Sequence, residues 1–251
     1  MIRLQFNGRP RAIFVSSLTL LHSARGLASL ARDGSGAGIR EVARAWGRTM
    51  VEQSGIELRV EGLQRDFFEQ PFILMANHAS HLDIPILLAA LPRCPGFLAK
   101  KELFDLPIFG PAMRGIECIP IDRSDRKQSL EAIDRAAAQL RAGGRLVVFP
   151  EGTRGDGKRL QALKKGPFHL VQRARVPLRP GGMAGSSAVC ARDDFRVYPG
   201  PVTVRFGQPI FFSPERPKSL GRERKWLMDQ VSSALSELSG LPREPMDAGI
   251  D

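Results

Sequence analysis

A histidine and an aspartate, His78 and Asp83, lie directly after an apolar run at 71–76 that is typical of a buried strand. Loops at strand ends in α/β sheets commonly carry catalytic groups. If His78 lies in such a loop and Asp83 begins the next helix, the carboxylate can bind the imidazole Nδ1. Nε2 is then left as a general base, so the pair predicts a site of proton abstraction.

The two side chains can face each other only if the helix begins close to Asp83. On one continuous helix, the turn of about 100° per residue would point them in different directions. Pro85 favours the late start, because its missing N–H is harmless only in the first turn. Two alternatives stay open. In the first, Asp83 is only a helix cap, either alone or as part of a Ser80-x-x-Asp83 capping box. In the second, His81 rather than His78 is the base.

The elements around this segment alternate between strands and helices. Apolar patterns predict strands at 56–60, 71–76, 97–99, 116–121, 145–149 and 202–206, and helices at 83–90, 127–141 and 227–238. Such alternation favours an α/β fold with a mostly parallel or mixed central sheet flanked by helices.

The first 54 residues are predicted to form two amphipathic helices, separated by a glycine-rich break at 33–38. The apolar stretch at 12–21 is too short for a membrane span, and no signal-peptide cleavage pattern follows it. A stripe of Phe14, Leu18 and Leu21 suits either lipid headgroups or the protein's own core. We therefore divide the chain into a helical membrane-associating segment, 1–54, and an α/β domain, 55–251.

The charge of the chain predicts a negatively charged partner. Its 37 lysines and arginines exceed its 26 acidic residues and give a formal net charge of +11. Nucleic acid, an anionic membrane and a phosphate-bearing substrate all fit this charge. No nucleic-acid-binding signature is present and the single tyrosine offers little stacking, so nucleic acid is not expected. Three scattered cysteines predict neither a disulfide framework nor a zinc site.

A second block, Phe149-Pro150-Glu151-Gly152-Thr153-Arg154, follows the predicted strand at 145–149. Together with Asn77-His78-x-x-x-x-Asp83, it resembles the two hallmarks of the lysophosphatidic acid acyltransferase (PlsC-like) family of glycerolipid acyltransferases. The segments 100–103, 119–123 and 176–178 are also similar to intervening or later parts of that family. The resemblance covers residues 55–210.

This resemblance implies a reaction and a mechanism. His78 would deprotonate the sn-2 hydroxyl of 1-acyl-glycerol-3-phosphate, which would attack the thioester of acyl-CoA or acyl carrier protein and give phosphatidic acid. Asp83 would orient His78. No metal, cofactor or covalent acyl-enzyme is expected, because an activated hydroxyl can attack the thioester directly.

The resemblance also predicts a set of residues that bind the lysophospholipid acceptor: Lys100, Arg123, Glu151, Gly152, Thr153 and Arg154. Arginine suits phosphate because its guanidinium fork makes two parallel hydrogen bonds, and a glycine lets backbone approach closely. The alternative is that Lys100 and Arg123 are ordinary surface charges and that Glu151-Gly152 is an ordinary turn. Backbone N–H groups near 176–178 are candidate donors to the oxyanion.

The chain departs from the family pattern in two places. Arg179-Pro-Gly-Gly182 stands where the family continues as an apolar strand, so the last core strand and the acyl pocket are in doubt. Many relatives carry a membrane-spanning segment near the N-terminus, whereas here peripheral binding to the cytoplasmic face of the membrane is expected.

A different lyso-lipid acceptor, or hydrolysis by the same His and Asp, is the competing function, although no G-x-S-x-G elbow is present. The acyl donor, its chain length and the oligomeric state are left open.

Overall fold

The computed structural model describes residues 10–34, 36–194, 196–211 and 219–243. The strands within these ranges are β1 (Ile56–Glu61), β2 (Phe72–Ala76), β3 (Gly96–Lys100), β4 (Ile119–Ile121), β5 (Arg145–Val148), β6 (Leu178–Ala184) and β7 (Gly200–Phe206). The helices are α1 (Pro10–Asp33), α2 (Ala37–Gln53), α3 (Arg65–Glu69), α4 (Asp83–Ala90), α5 (Phe109–Gly115), α6 (Arg126–Arg141), α7 (Lys165–Ala174), α8 (Ser186–Val189) and α9 (Leu220–Ser239). A short 3-10 helix spans Lys101–Asp105.

The described strands form one mixed sheet in the order β1-β7-β6-β2-β5-β3-β4. Neighbouring strands are parallel except β6 and β7, which are antiparallel, so β1 and β7 run opposite to the other five. Helices cover both faces, which confirms the α/β fold class.

The central strand β2 is apolar throughout because both of its faces are covered. Phe72, Leu74 and Ala76 belong to one hydrophobic cluster, which also contains residues of α2 and α4. Ile73 and Met75 point to the other face, into a cluster with α6, α7 and α9. The strand is thus held from both sides, and the loop that follows it begins from a rigid element.

The N-terminal helices pack against the sheet domain by one face and expose another. Leu18 packs on the hydrophobic core, whereas Leu20 and Leu21 are 47% and 45% exposed. The predicted stripe is therefore divided between core and surface, and the side chain of Phe14 lies outside the described residues. None of the described helices is long and apolar enough to cross a membrane. The division of the chain at residue 54 stays a prediction.

The doubt about the last core strand is wrong, because the segment around Arg179 forms β6. Arg179 is fully buried, and its guanidinium group donates to the carbonyl oxygens of Gly207 at 2.8 Å and Gly62 at 3.1 Å. It also donates to Oε1 of Gln64 at 2.9 Å. A buried cation is tolerated here because neutral oxygens satisfy most of its donors.

Gly182 in β6 allows α9 to pack directly on the strand. A Cβ atom at this position would lie 2.3 Å from the carbonyl carbon of Leu238, which is closer than any real contact. We expect Gly182→Ala to lower the free energy of unfolding by about 1–3 kcal/mol, because the helix must move away. Urea denaturation measures this loss.

Gly200→Ala is the matched control. The added Cβ would lie 3.7 Å from Val189 Cγ2, an ordinary contact, and neither glycine has a positive φ. Its effect should stay within about 1 kcal/mol. Equal destabilisation by both substitutions would contradict the packing argument.

Candidate active site

The predicted site residues lie at one edge of the sheet, where four adjacent parallel strands end. The loop with His78 follows β2, and the block 149–154 follows its neighbour β5. Lys100 ends β3, and Arg123 follows β4. Ligands of α/β folds commonly bind outside the carboxyl ends of the strands, and this edge is the corresponding place here.

His78 and Asp83 are in direct contact, as their spacing predicted. Nδ1 of His78 lies 2.7 Å from Oδ2 of Asp83, and the aspartate is fully buried. The same Oδ2 accepts hydrogen bonds from the backbone N–H groups of Ala79 at 2.7 Å and Ser80 at 2.8 Å. Helix α4 begins at Asp83, so Pro85 lies in its first turn.

The geometry decides both alternatives for this segment. Asp83 is not the helix cap, since Leu82 occupies the cap position and the aspartate side chain turns back to the loop. His81 has both ring nitrogens engaged: Nε2 lies 2.9 Å from the carbonyl oxygen of Arg192, and Nδ1 contacts Nη1 of Arg154. Burial and the charge of Arg154 lower the pKa of His81. His78 is therefore the candidate base.

The ring of Phe149 fixes the plane of the His78 imidazole. The two rings are stacked, with centroids 4.0 Å apart and planes inclined by 16°. With Nδ1 held by Asp83, Nε2 makes no hydrogen bond to any described residue. The His78 side chain is 18% exposed, so a substrate hydroxyl can reach it.

Glu151 joins the second block to the histidine loop. It is 2% exposed, and its Oε1 accepts a hydrogen bond from the backbone N–H of His78 at 2.7 Å. Its Oε2 accepts one from the backbone N–H of Gln161 at 3.0 Å, and the N–H of Gly155 donates to the His78 carbonyl at 2.7 Å. Both carboxylate oxygens thus hold protein backbone, and contact of Glu151 with the acceptor stays a prediction.

The remaining residues of the second block lie around a tight turn. Gly152 has a φ of +76°, a conformation that favours glycine, and Nη1 of Arg123 donates to its carbonyl oxygen. Thr153 is exposed, and the guanidinium group of Arg154 lies against His81. The structure therefore brings Arg123, Gly152 and Arg154 close to the histidine loop, and their binding roles stay predictions.

Of the two lysines at the end of β3, the structure brings Lys101 rather than Lys100 to the neighbouring loop. The Lys100 side chain is 67% exposed and lies 3.4 Å from Glu102. Nζ of Lys101 lies 2.5 Å from Oδ2 of Asp122, and hydrogen bonds from Lys101 and Ser124 hold the pKa of Asp122 well below its usual range. Phosphate binding by Lys100 stays a prediction.

Asn77 has a structural function that the sequence did not reveal. Its amide nitrogen donates to the carbonyl oxygen of Met183 at 3.0 Å, and its Oδ1 accepts from the Met183 N–H at 2.7 Å. The position of Asn77, a polar residue directly after the wholly apolar strand β2, was the sequence signal that could have indicated this function. The pair fastens the histidine loop to β6.

The suggestion that residues 176–178 supply oxyanion donors is wrong. Leu178 pairs with Ile73 in the sheet, at the end of β2 opposite to His78. Five residues of strand at about 3.3 Å each separate the two positions. The N–H of Leu178 also donates to Ile210, and Pro177 has none.

Comparison with known proteins places this site in a family. A family model described as "Acyltransferase" matches residues 53–184, more than half of the chain. The chain belongs to this acyltransferase family. The matched segment contains both the histidine loop and the block 149–154, whereas β7 and α9 lie outside it.

Curated relatives in the acyltransferase family carry a more specific name. A 1-acyl-sn-glycerol-3-phosphate acyltransferase from Cocos nucifera is 33% identical over 165 residues, which cover 65% of this chain and 53% of that protein. One from Saccharomyces cerevisiae is 30% identical over 203 residues, covering 80% of this chain and 67% of the relative. The chain thus spans about half to two thirds of the length of these relatives.

A solved structure has a fold similar to that of this chain. It is the crystal structure of the 1-acyl-sn-glycerophosphate (LPA) acyltransferase PlsC from Thermotoga maritima, which matches with a TM-score of 0.73. The match covers 90% of this chain and 93% of that chain at 22% identity, so it establishes the fold alone.

The buried carboxylate of Glu151 predicts a pH-dependent stability. Burial raises its pKa to about 7, although N–H groups of Gln161 and His78 act in the opposite direction. The unfolded chain releases this proton near the ordinary value of 4.5, so between the two values the folded state binds more protons. The unfolding free energy should therefore fall as pH rises from 5 to 7. Glu151→Gln should remove this contribution to the pH dependence.

Urea denaturation of the parent protein and Glu151→Gln at several pH values measures this difference in slope. Gln cannot ionise, so a constant offset between the two proteins is compatible with the argument. Parallel pH profiles would contradict it.

Proposed function

We propose that the protein transfers a fatty acyl group from a thioester donor to the sn-2 hydroxyl of 1-acyl-glycerol-3-phosphate, giving phosphatidic acid. The observation that carries this proposal is the 2.7 Å contact between His78 and the buried Asp83, which leaves Nε2 as a base at an accessible edge of the sheet. Relatives of the same family named for this activity supply the substrate class.

The proposed reaction uses His78 as a base and then as an acid. Nε2 takes the proton of the acceptor hydroxyl while its oxygen attacks the thioester carbonyl carbon. Asp83 faces the imidazolium that forms and stabilises its charge. The tetrahedral intermediate expels the thiolate, which receives the proton from His78, so an ester forms and the thioester breaks.

An apolar cavity beside α4 supports an acyl substrate. It has a volume of about 120 Å³ and lies among α1, α2, α4, α5 and β3. Ile84, which directly follows Asp83, lines it together with Leu88, Phe97 and Met113. Its polar lining consists of Thr19, His22 and Ser23 on α1, so a fatty acyl chain there would mainly replace water against apolar surface. The donor is acyl-CoA or acyl carrier protein.

We also propose that α1 attaches the protein to the cytoplasmic face of an anionic membrane. Leu20 and Leu21 are exposed on this helix, and so are Arg25 and Arg32. Its first acidic residue is Asp33, at its last position. Exposed apolar and cationic groups on one helix suit the headgroup region of anionic lipids, and the net charge of +11 adds to the attraction.

Removing the base should slow acyl transfer strongly. We expect His78→Ala to lower kcat by about a hundredfold to ten-thousandfold, the usual contribution of a general base. Asp83→Asn should also lower kcat, because an amide can hold the wrong tautomer of His78. The assay incubates each protein with labelled acyl thioester and lysophosphatidic acid and follows phosphatidic acid and free fatty acid.

His169→Gln on α7 serves as the control for loss of a histidine, and its rate should match that of the parent protein. Full transfer by His78→Ala would exclude the proposed base. Free fatty acid without lipid product would instead identify a hydrolase, and transfer to other lyso-lipids but not to lysophosphatidic acid would identify a different acceptor.

Membrane attachment by α1 is tested with the double variant Leu20→Asp, Leu21→Asp. We expect its affinity for vesicles of phosphatidylglycerol and phosphatidylcholine to fall by at least about tenfold, because two apolar side chains no longer enter the lipid. Sedimentation with vesicles measures binding. Leu220→Asp, at a position 62% exposed on α9, is the control, and equal loss in both variants would contradict a specific role of α1.

A further inference from the structure

A second cavity is lined in part by Phe149, the residue whose ring stacks on His78. Its volume is about 310 Å³, and α6, β5 and the start of α7 contribute to its wall. Its lining combines an apolar floor with two cations: Leu98, Ile121, Ile133 and Val148, with Arg123 and Lys164. A wall of this composition suits an anionic group attached to an apolar body.

The two cations lie beside the same glycine. Arg123 donates through Nη1 to the carbonyl oxygen of Gly152. The stem of Lys164 passes close to the same residue, because a Cβ at position 152 would lie 3.1 Å from Lys164 Cγ. Gly152 follows Phe149 by three residues, so both cations are close to the candidate base. The glycine provides the space for the lysine as well as the positive φ of the turn.

Neither cation is neutralised by a carboxylate. Among the described residues, no aspartate or glutamate forms an ion pair with Arg123 or Lys164, whereas the nearby Lys101 is paired with Asp122. Two cations that lack carboxylate partners and line a largely apolar cavity match a group with about two negative charges, such as a phosphomonoester at neutral pH.

We propose that Lys164 is a specificity-determining residue that binds the phosphomonoester of the acceptor jointly with Arg123. The apolar floor would then contact the start of the acyl chain of the acceptor, and the sn-2 hydroxyl would lie towards Phe149 and His78. This inference rests on the proposed function and deepens it. A lyso-lipid with a phosphodiester, or one with no phosphate, lacks the charge that this pair requires.

Binding is measured by calorimetry with a soluble, short-chain lysophosphatidic acid and, separately, with glycerol 3-phosphate. Loss of one charge-assisted hydrogen bond corresponds to about tenfold or more in affinity, and we expect this loss for Lys164→Gln. Lys164→Arg should restore most of it because the charge is kept. Lys165→Gln, at the adjacent exposed lysine that does not line the cavity, should change affinity by less than about twofold.

Kinetics separate a binding role from a general structural one. Lys164→Gln should raise KM for lysophosphatidic acid by about tenfold or more and leave kcat within about threefold. Its relative rate with lysophosphatidylcholine should rise, because the preference for a phosphomonoester is weakened. An equal response of Lys164→Gln and Lys165→Gln in binding and KM would overturn the proposal.

The two measurements also distinguish this inference from the proposed function. Binding of short-chain lysophosphatidic acid that depends on Lys164, without any acyl transfer, would support the phosphate site and reject the transferase. Acyl transfer with normal KM in Lys164→Gln would support the transferase and reject the phosphate site.

Discussion

One carboxylate oxygen, Oδ2 of Asp83, accepts hydrogen bonds from the imidazole of His78 and from two backbone N–H groups of the loop between them. A fully buried carboxylate is costly unless it is hydrogen-bonded, and here the donors to Oδ2 are the groups that the site must position. Oδ1 has no hydrogen-bond partner among the described residues. The tautomer of His78, the path of the loop and the first turn of α4 are therefore fixed by one interaction. The rest of the site is arranged around this loop.

The second block secures the same loop from the neighbouring strand. Phe149 stacks on the imidazole, Glu151 accepts the His78 N–H, and Gly155 donates to the His78 carbonyl. The two blocks are far apart in sequence but follow adjacent parallel strands, β2 and β5. The two blocks therefore hold the His78 loop from two neighbouring strands at once.

Much of this arrangement could be predicted from the sequence. Pro85 indicates the start of α4, a continuous apolar run indicates β2, and apolar residues at helical spacing indicate α6. What escaped prediction depends on partners distant in sequence. Arg179 can stand in a core strand only because carbonyl groups from other segments accept its hydrogen bonds. Helices α5 and α7 were not predicted; each has glycine and proline in its first turn, where proline is well tolerated. The exclusion of His81 required the carbonyl group of Arg192, which no local pattern indicates.

The placement of β7 has a consequence for how the protein folds. This strand, formed late in the chain, lies between β6 and β1, so Ile56 finds its partner at Gly200. During synthesis, β1 therefore emerges long before β7, its partner in the sheet. Pairing at such separation is slow, because a long loop must close before any contact stabilises it. The edge strand β1 is consequently among the last parts of the sheet to be paired. Its backbone hydrogen-bonding groups need protection from other chains until β7 arrives.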